Sequence, residues 1–268
     1  MSRIKTKFSE LQKQDKSAFI AYICAGDPSY QNSLSILKAM PKSGVDIIEV
    51  GVPFLDPAGD GPVIEQAAKR AIKNGMTLNK TLAMIAEFRK ENQSTPIVLM
   101  TYYNPLLKHG INKVFSDAKS AGVDGVLIVD LPLEEEGEAI NEIKKAQLDF
   151  IQLIAPTTPQ NRAKKIVKNA SGFVYLISML GITGTKEAKA EENIDNLHKL
   201  RAITKLPIAI GFGIKTPKQA KEFADLGFDG VVVGSTFVKE ISDNVAAQKS
   251  ASEIVTLVTK KIEEFSND

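Results

Sequence analysis

Short runs of apolar, often β-branched residues recur along the chain at 18–25, 46–54, 96–103, 125–130, 150–155, 173–178, 207–211 and 230–234. These runs do not alternate between apolar and polar positions. Continuous hydrophobic runs of this length fit strands buried on both faces, as in a parallel sheet covered by helices. Between them lie amphipathic stretches at 31–42, 62–74, 78–91, 111–121, 134–146, 159–169, 193–204 and 216–226. Several open with helix-start chemistry, such as Thr216 before Pro217 and Thr158 before Pro159. Eight strand–helix units in this length match a closed (β/α)₈ barrel, which typically takes about 250 residues. An open doubly wound sheet is the structural alternative. Residues 2–14 read as an extra N-terminal amphipathic helix that can cover the barrel floor, and 251–265 as a closing terminal helix.

An internal echo supports the repeated unit. Gly44-Val45-Asp46, Gly122-Val123-Asp124 and Gly227-Phe228-Asp229 each fall between a helical stretch and a strand run. Each glycine can close a helix in the left-handed conformation. No linker or low-complexity block divides the chain, so residues 1–268 read as one barrel domain.

Composition narrows the chemistry. A hydrophobic content of 43% and a charged content of 25% are ordinary globular values. A net charge of +2, from 34 basic and 32 acidic residues, carries no polyanion signal, so nucleic acid is not an expected partner. Cys24 is the single cysteine, which excludes a disulfide framework and a thiolate metal cluster. The N-terminus lacks an apolar secretion core, and no apolar stretch nears the roughly 18 residues of a membrane span. A cytoplasmic protein without a membrane segment is the expectation.

Residues 46–62, DIIEVGVPFLDPAGDGP, place Glu49 inside an apolar strand and Asp60 in the Pro/Gly-rich loop that follows. A carboxylate within a buried strand is costly unless it is paired or neutralised. Two acids, one on a strand and one on its loop, can do acid/base work from two directions. Their structural alternatives are an internal ion pair for Glu49 and a turn or cap for Asp60. Asp56 reads as a turn or surface residue. Asp130 is a further candidate, although Pro132 and Glu134 suggest a helix start there.

In such barrels phosphate is commonly held by the loops after strands seven and eight. Here those runs end in Gly211-Phe212-Gly213 and Gly234-Ser235, and the sixth adds Gly181-Ile182-Thr183-Gly184. Glycines let backbone N–H groups approach an anion, and Ser235 can open a short helix whose N-terminus favours negative charge. Other chemistries fail on their residues. None of the eight runs contains the lysine a Schiff-base aldolase needs. The two histidines, His109 in a loop and His198 in a helix, read as separate surface residues rather than metal ligands. Gly211-Phe212-Gly213 is followed by Ile214, Lys215 and Thr216, so it is no dinucleotide fingerprint. Carboxylate chemistry on a phosphorylated ligand remains. Tyr22, Met100, Leu127, Ile154, Tyr175 and Phe212 lie on or beside strands where they can form an apolar pocket or ordinary core.

Over essentially its full length the chain resembles the tryptophan synthase alpha subunit family. The resemblance rests on Ala25-Gly26-Asp27-Pro28, Glu49-Val50-Gly51-Val52-Pro53-Phe54, Asp56-Pro57, Asp60-Gly61-Pro62 and Met100-Thr101-Tyr102-Tyr103-Asn104-Pro105. It continues through Asp130-Leu131-Pro132, Ala155-Pro156-Thr157-Thr158-Pro159, Gly181-Ile182-Thr183-Gly184, Gly211-Phe212-Gly213 and Val233-Gly234-Ser235. The resemblance implies retro-aldol cleavage of indole-3-glycerol phosphate to indole and glyceraldehyde 3-phosphate. It also implies an α2β2 complex whose beta subunit, bearing pyridoxal phosphate (PLP), receives the indole, with no cofactor in this chain. It assigns Glu49 as general acid/base and Asp60 as the carboxylate near the ring nitrogen. Substrate contacts carry over to Tyr22, Met100, Leu127, Tyr175, Thr183 and Phe212, and phosphate contacts to Gly184, Gly213, Gly234 and Ser235. The loop at 179–193 corresponds to one that closes over ligand, and 53–60 to the face that docks the beta subunit.

The chain also departs from the family pattern. Leu55 stands where serine is common, and Ala58-Gly59 where a larger apolar residue and alanine are common. Met179-Leu180 replaces a more polar pair, and Tyr22 stands where phenylalanine is frequent. Another phosphosugar barrel, such as an isomerase, is the enzyme alternative. A subunit that mainly activates a partner and an uncoupled lyase that releases free indole are the others.

Overall fold

The structure is a computed structural model and describes residues 2–178 and 193–266. Eight parallel strands close into a barrel in sequence order: β1 (Ala18–Cys24), β2 (Ile47–Gly51), β3 (Ile97–Thr101), β4 (Gly125–Ile128), β5 (Asp149–Ile154), β6 (Val174–Ile177), β7 (Ile208–Gly211) and β8 (Gly230–Val233). β8 returns to pair with β1. Each predicted strand is present, seven of them trimmed by one to four residues and the fifth shifted by one toward the N-terminus, and the open-sheet alternative is excluded. The outer helices are α1 (Arg3–Gln12), α2 (Tyr30–Ala39), α3 (Pro62–Lys73), α4 (Leu78–Arg89), α5 (Tyr103–His109), α6 (Ile111–Ala121), α7 (Gly137–Lys145), α8 (Gln160–Asn169), α9 (Ile194–Arg201), α10 (Pro217–Asp225), α11 (Ser235–Ala246) and α12 (Ala251–Ser266). No described helix is long and apolar enough to cross a membrane.

The repeated Gly-x-Asp motif has a physical function in closing the barrel. Gly44, Gly122 and Gly227 all adopt positive φ, near +90°, ending the preceding turn. The aspartates then lock neighbouring strands. Asp46, Asp124 and Asp229 accept backbone N–H bonds from Phe19, Ile97 and Ile208 at 3.0, 2.9 and 2.6 Å. Their own N–H groups donate back to the carbonyls of the same three residues, each at 2.9 Å. The motif therefore sets the register of β1, β3 and β7 against β2, β4 and β8.

Side chains from alternate strand positions fill the barrel. Ile20, Ile47, Val98, Leu127, Ile151, Phe173, Ala209 and Val232 form an interior cluster, and α1 seals its floor with Ile4, Phe8 and Leu11. Arg3 on α1 reaches Asp124 at 2.7 Å, and Asp124 also pairs with buried Arg89 at 2.8 Å. The predicted floor helix is therefore held by both apolar packing and charge.

Three local expectations are corrected. His109 is not in a loop: it ends α5, is half-buried, and bonds Asp117 through Nε2 at 2.8 Å. Pro105 is tolerated in the first turn of α5 because its missing N–H has no intrahelical partner there. Asp130 does not start a helix in its own segment. Its carboxylate accepts the Tyr103 N–H at 2.7 Å and so supports the start of α5. The helix opened by Ser235 is not short, running for 12 residues.

Candidate active site

The C-terminal ends of the strands form the mouth of the barrel, and β2 carries Glu49 toward it. In the parallel register Glu49 lies between Tyr22 on β1 and Val98 on β3. Glu49, Tyr22, Met100, Tyr175, Phe212, Gly213, Gly234 and Ser235 line one narrow cavity of ≈ 40 Å³. Eight of the twelve predicted site residues are thus brought together. Ile64, Ile214 and Val232 line it too, and were missed. Their sequence signal is that of ordinary core, so only placement distinguishes them.

The remaining four divide. Asp60 lies on the loop between β2 and α3, its Oδ1 buried. Leu127 is fully buried in the barrel interior, in register with Met100, and does not belong to the cavity lining. Thr183 and Gly184 lie outside the described residues, as does the 179–192 part of the expected closing loop.

The electrostatics of the two acids differ from those of ordinary surface carboxylates. Glu49 is 1% exposed, and its Oε1 has no hydrogen-bond partner. Burial pushes its carboxyl from 4.5 up to about 8, because the ionised form loses hydration. Burial raises Asp60 to about 6, with the Tyr102 hydroxyl pulling partly in the opposite direction. Tyr102 is itself held by the Gly59 N–H, which donates to its hydroxyl at 3.1 Å. Among the described residues, the buried carboxyl oxygens without partners are Glu49 Oε1 and Asp60 Oδ1. Glu49 is not in the internal ion pair that was its structural alternative; Asp60 does close a turn, its N–H donating to the Pro57 carbonyl at 3.3 Å, while its Oδ1 accepts no capping bond.

The far wall is built by an unusual turn. Phe212 has φ +80° and Gly213 φ +74°. A left-handed phenylalanine costs roughly 1–2 kcal/mol. Ser178 holds the turn by donating its hydroxyl to the Phe212 carbonyl, and the Asn193 amide donates to the Ser178 carbonyl at 3.0 Å. Phe212 thereby meets the edge of Tyr175, with ring centroids 6.1 Å apart. Beside this turn, Gly234 caps α11, and Ser235 begins it. Backbone N–H groups at a helix start facing a cavity form a ready anion site.

Larger clefts of ≈ 700 and ≈ 970 Å³ open at the opposite end, around Lys16, Ser17 and the strand-start aspartates. Volume would favour them. The buried, unsatisfied acids lie at the mouth instead, which is where barrel chemistry is built. No group of side chains suited to holding a metal ion occurs among the described residues.

Fold and site together define a (β/α)₈-barrel protein with two acids, each keeping one buried unpartnered carboxyl oxygen, at the barrel mouth and a helix N-terminus lining the cavity that holds Glu49. The chain belongs to the tryptophan synthase alpha chain family, whose family model matches residues 8–267. The tryptophan synthase alpha subunit of Legionella pneumophila str. Paris is 34% identical, with 100% of each chain covered and a TM-score of 0.89. A tryptophan synthase α2β2 complex from Pyrococcus furiosus gives 37% identity, coverage of 94% of this chain and 99% of that chain, and a TM-score of 0.85. Tryptophan synthase from Mycobacterium tuberculosis gives 29% identity, coverage of 99% and 98%, and a TM-score of 0.87.

Proposed function

We infer that this chain cleaves indole-3-glycerol phosphate to indole and glyceraldehyde 3-phosphate, the alpha reaction of tryptophan synthase, and passes the indole to a beta subunit. Family membership carries the reaction. The observation that supports its location is the pair of buried, unpartnered carboxyl oxygens at the barrel mouth. PLP is the beta subunit's cofactor in such complexes, and this chain's own residues account for the alpha chemistry. Family membership also favours the cytoplasm as the site of action.

The proposed residue roles follow from charge flow. Cleavage begins with a proton delivered to indole C3, which leaves a positive charge on the ring nitrogen. Asp60, ionised at neutral pH with a pKa of about 6, is suited to stabilise that cation. The hydroxyl on the carbon next to C3 must then lose its proton as the carbonyl forms. The carbon–carbon electron pair returns to the ring and neutralises the nitrogen. Glu49, with a pKa of about 8, holds a proton at neutral pH and can both give and take one. Tyr22, Met100, Tyr175 and Phe212 supply an apolar wall for the indole, with Leu127 packed behind Met100. Gly213, Gly234 and Ser235 offer the phosphate site, and Thr183 and Gly184 are expected to complete the closed site.

The outer face fits the partner. Leu55, 58% exposed, and Leu107, 50% exposed, are the large exposed hydrophobics among the described residues. They lie on the loop after β2 and on α5, so the docking face is proposed to extend from 53–60 onto α5.

The test is indole release from indole-3-glycerol phosphate, with and without a beta subunit, for wild type and a Glu49→Gln variant. We expect the variant to lose about 10²–10⁴-fold in rate. Wild-type turnover by the variant would overturn the assignment of Glu49. Absence of cleavage by wild type in both conditions would overturn the enzymatic reading.

A further inference from the structure

Tyr22 occupies a slot built by two glycines on the strands either side of β1. A side chain at Gly51 on β2 would place its Cβ 2.2 Å from the Tyr22 hydroxyl. A side chain at Gly234, after β8, would meet the Tyr22 Cβ at 3.0 Å and its ring at 3.2 Å. The ring therefore runs from the anion-accepting helix start to the acid end of the cavity. Its hydroxyl lies over Gly51, one inward-facing position beyond Glu49 on the same strand. Tyr22 and Glu49 are direct register partners, so their side chains enter the barrel on the same side and at the same level. Both line the cavity.

We propose that Tyr22 is a further positioning residue for this reaction: in the substrate complex its hydroxyl donates a hydrogen bond to the Glu49 carboxylate, orienting the proton shuttle. The proposal rests on the reading of Glu49 as the general acid/base. Glu49 Oε1 is buried without a partner in the free protein, so an acceptor stands available within the cavity. Catalytic hydrogen bonds are often long in free enzymes and tighten when substrate is bound. Burial, with smaller contributions from Cys24, Asp60, Glu49 and Tyr102, holds the Tyr22 phenol well above its usual range. It is therefore protonated, and a donor, at every working pH. A phenylalanine at this position would fill the same slot and supply no donor.

The sign of the effect is fixed by the chemistry. A donor to the carboxylate favours its ionised form and lowers its proton affinity. Removing the hydroxyl should raise it. The titratable groups around this end are Glu49 on β2, Asp60 on the following loop, Tyr102 after β3, Tyr175 on β6 and Cys24 on β1. Of these, Glu49 and Asp60 titrate nearest neutrality, at about 8 and about 6.

The experiment compares wild type, Tyr22→Phe and Glu49→Gln in the full-length chain, measuring kcat, KM and the pH dependence of kcat for indole release. For Tyr22→Phe, a kcat about tenfold lower, a KM within about twofold and an upward shift of roughly half to one pH unit in the Glu49-controlled limb are expected. Unchanged kcat and pH profile in Tyr22→Phe, with wild type active, would overturn this proposal alone. A change confined to KM would also overturn it, since that marks uniform binding by the hydroxyl. A fully active Glu49→Gln variant, or an inactive wild type, would remove the reading on which it rests. Thermal unfolding of each variant separates a folding defect from these outcomes.

Discussion

Glu49 shows how one residue can be chosen for chemistry against stability. The folded protein holds its carboxyl proton up to about pH 8, whereas the unfolded chain releases it near 4.5. Stability from this group is fully present below about 4.5 and is lost as pH rises through 8. The full cost of burying the ionised form is on the order of 5 kcal/mol, taking about 1.4 kcal/mol for each pKa unit. A Glu49→Gln variant removes that titration. Its denaturant midpoint should match wild type in acid and exceed it increasingly between pH 5 and 8.5. Parallel stability curves across that range would show that burial does not govern Glu49. Asp60 acts with the same sign over a narrower window, from 3.8 to about 6. A nearby Tyr102 hydroxyl moderates it, which is one reason the two acids are kept apart in proton affinity.

Among the elements, α5 is the least self-sufficient. It is one of the shortest described helices, carries Pro105 in its first turn, and has no side-chain cap from its own N-cap residue, Tyr102. Asp130, after β4, supplies the missing acceptor to the Tyr103 N–H. Replacing Asp130 with alanine should cost about 1 kcal/mol, the usual value of a lost helix cap. Because α5 carries Leu107 and follows Tyr102, the same change should weaken association with a beta subunit by more than it slows cleavage by the isolated chain. Equal losses in both, measured by titration and by indole release, would show that the cap acts elsewhere. The turn after β7 makes the complementary point. Phe212 accepts a left-handed backbone because Ser178 and Asn193 hold the segment from β6 outward.

At the scale of the whole molecule, chemistry and structural charge are placed at opposite ends of the barrel. The mouth holds two acids that each keep one buried carboxyl oxygen without a partner, while the floor satisfies its own. Asp124 takes Arg3, Arg89 and the Ile97 N–H, and Arg89 also donates to the Gly122 and Thr95 carbonyls. Burial lowers the Arg89 guanidinium to about 10, with Asp124 working against that shift. Removing one partner of a buried pair leaves an uncompensated charge, which typically costs about 3–5 kcal/mol. Asp124→Ala should therefore lower the unfolding free energy by that amount, read from a shifted denaturant midpoint. The turnover per folded molecule should stay near wild type, because the network is remote from Glu49. A turnover loss larger than the folded fraction explains would show coupling between floor and mouth.

Much of this was legible in the chain itself. Continuous apolar runs and the Gly-x-Asp echo determined eight strands, because burial on both faces leaves no alternation to misread. Glu49 stood out because an acid within such a run has a cost that needs a reason, and the motif order identified the family. Other features depend on residues that meet only after the barrel closes. Asp130 and Tyr103 are distant in sequence, so the capped α5 left only a weak local signal. Ile64, Ile214 and Val232 have the character of core residues, and only their position at the cavity separates them from the rest. The slot of Gly51 and Gly234 around Tyr22 likewise exists because β2 and β8 become neighbours of β1 on closure. Local pattern determines which faces are buried; tertiary closure decides which buried side chains share a cavity, because that depends on register between strands far apart in the chain.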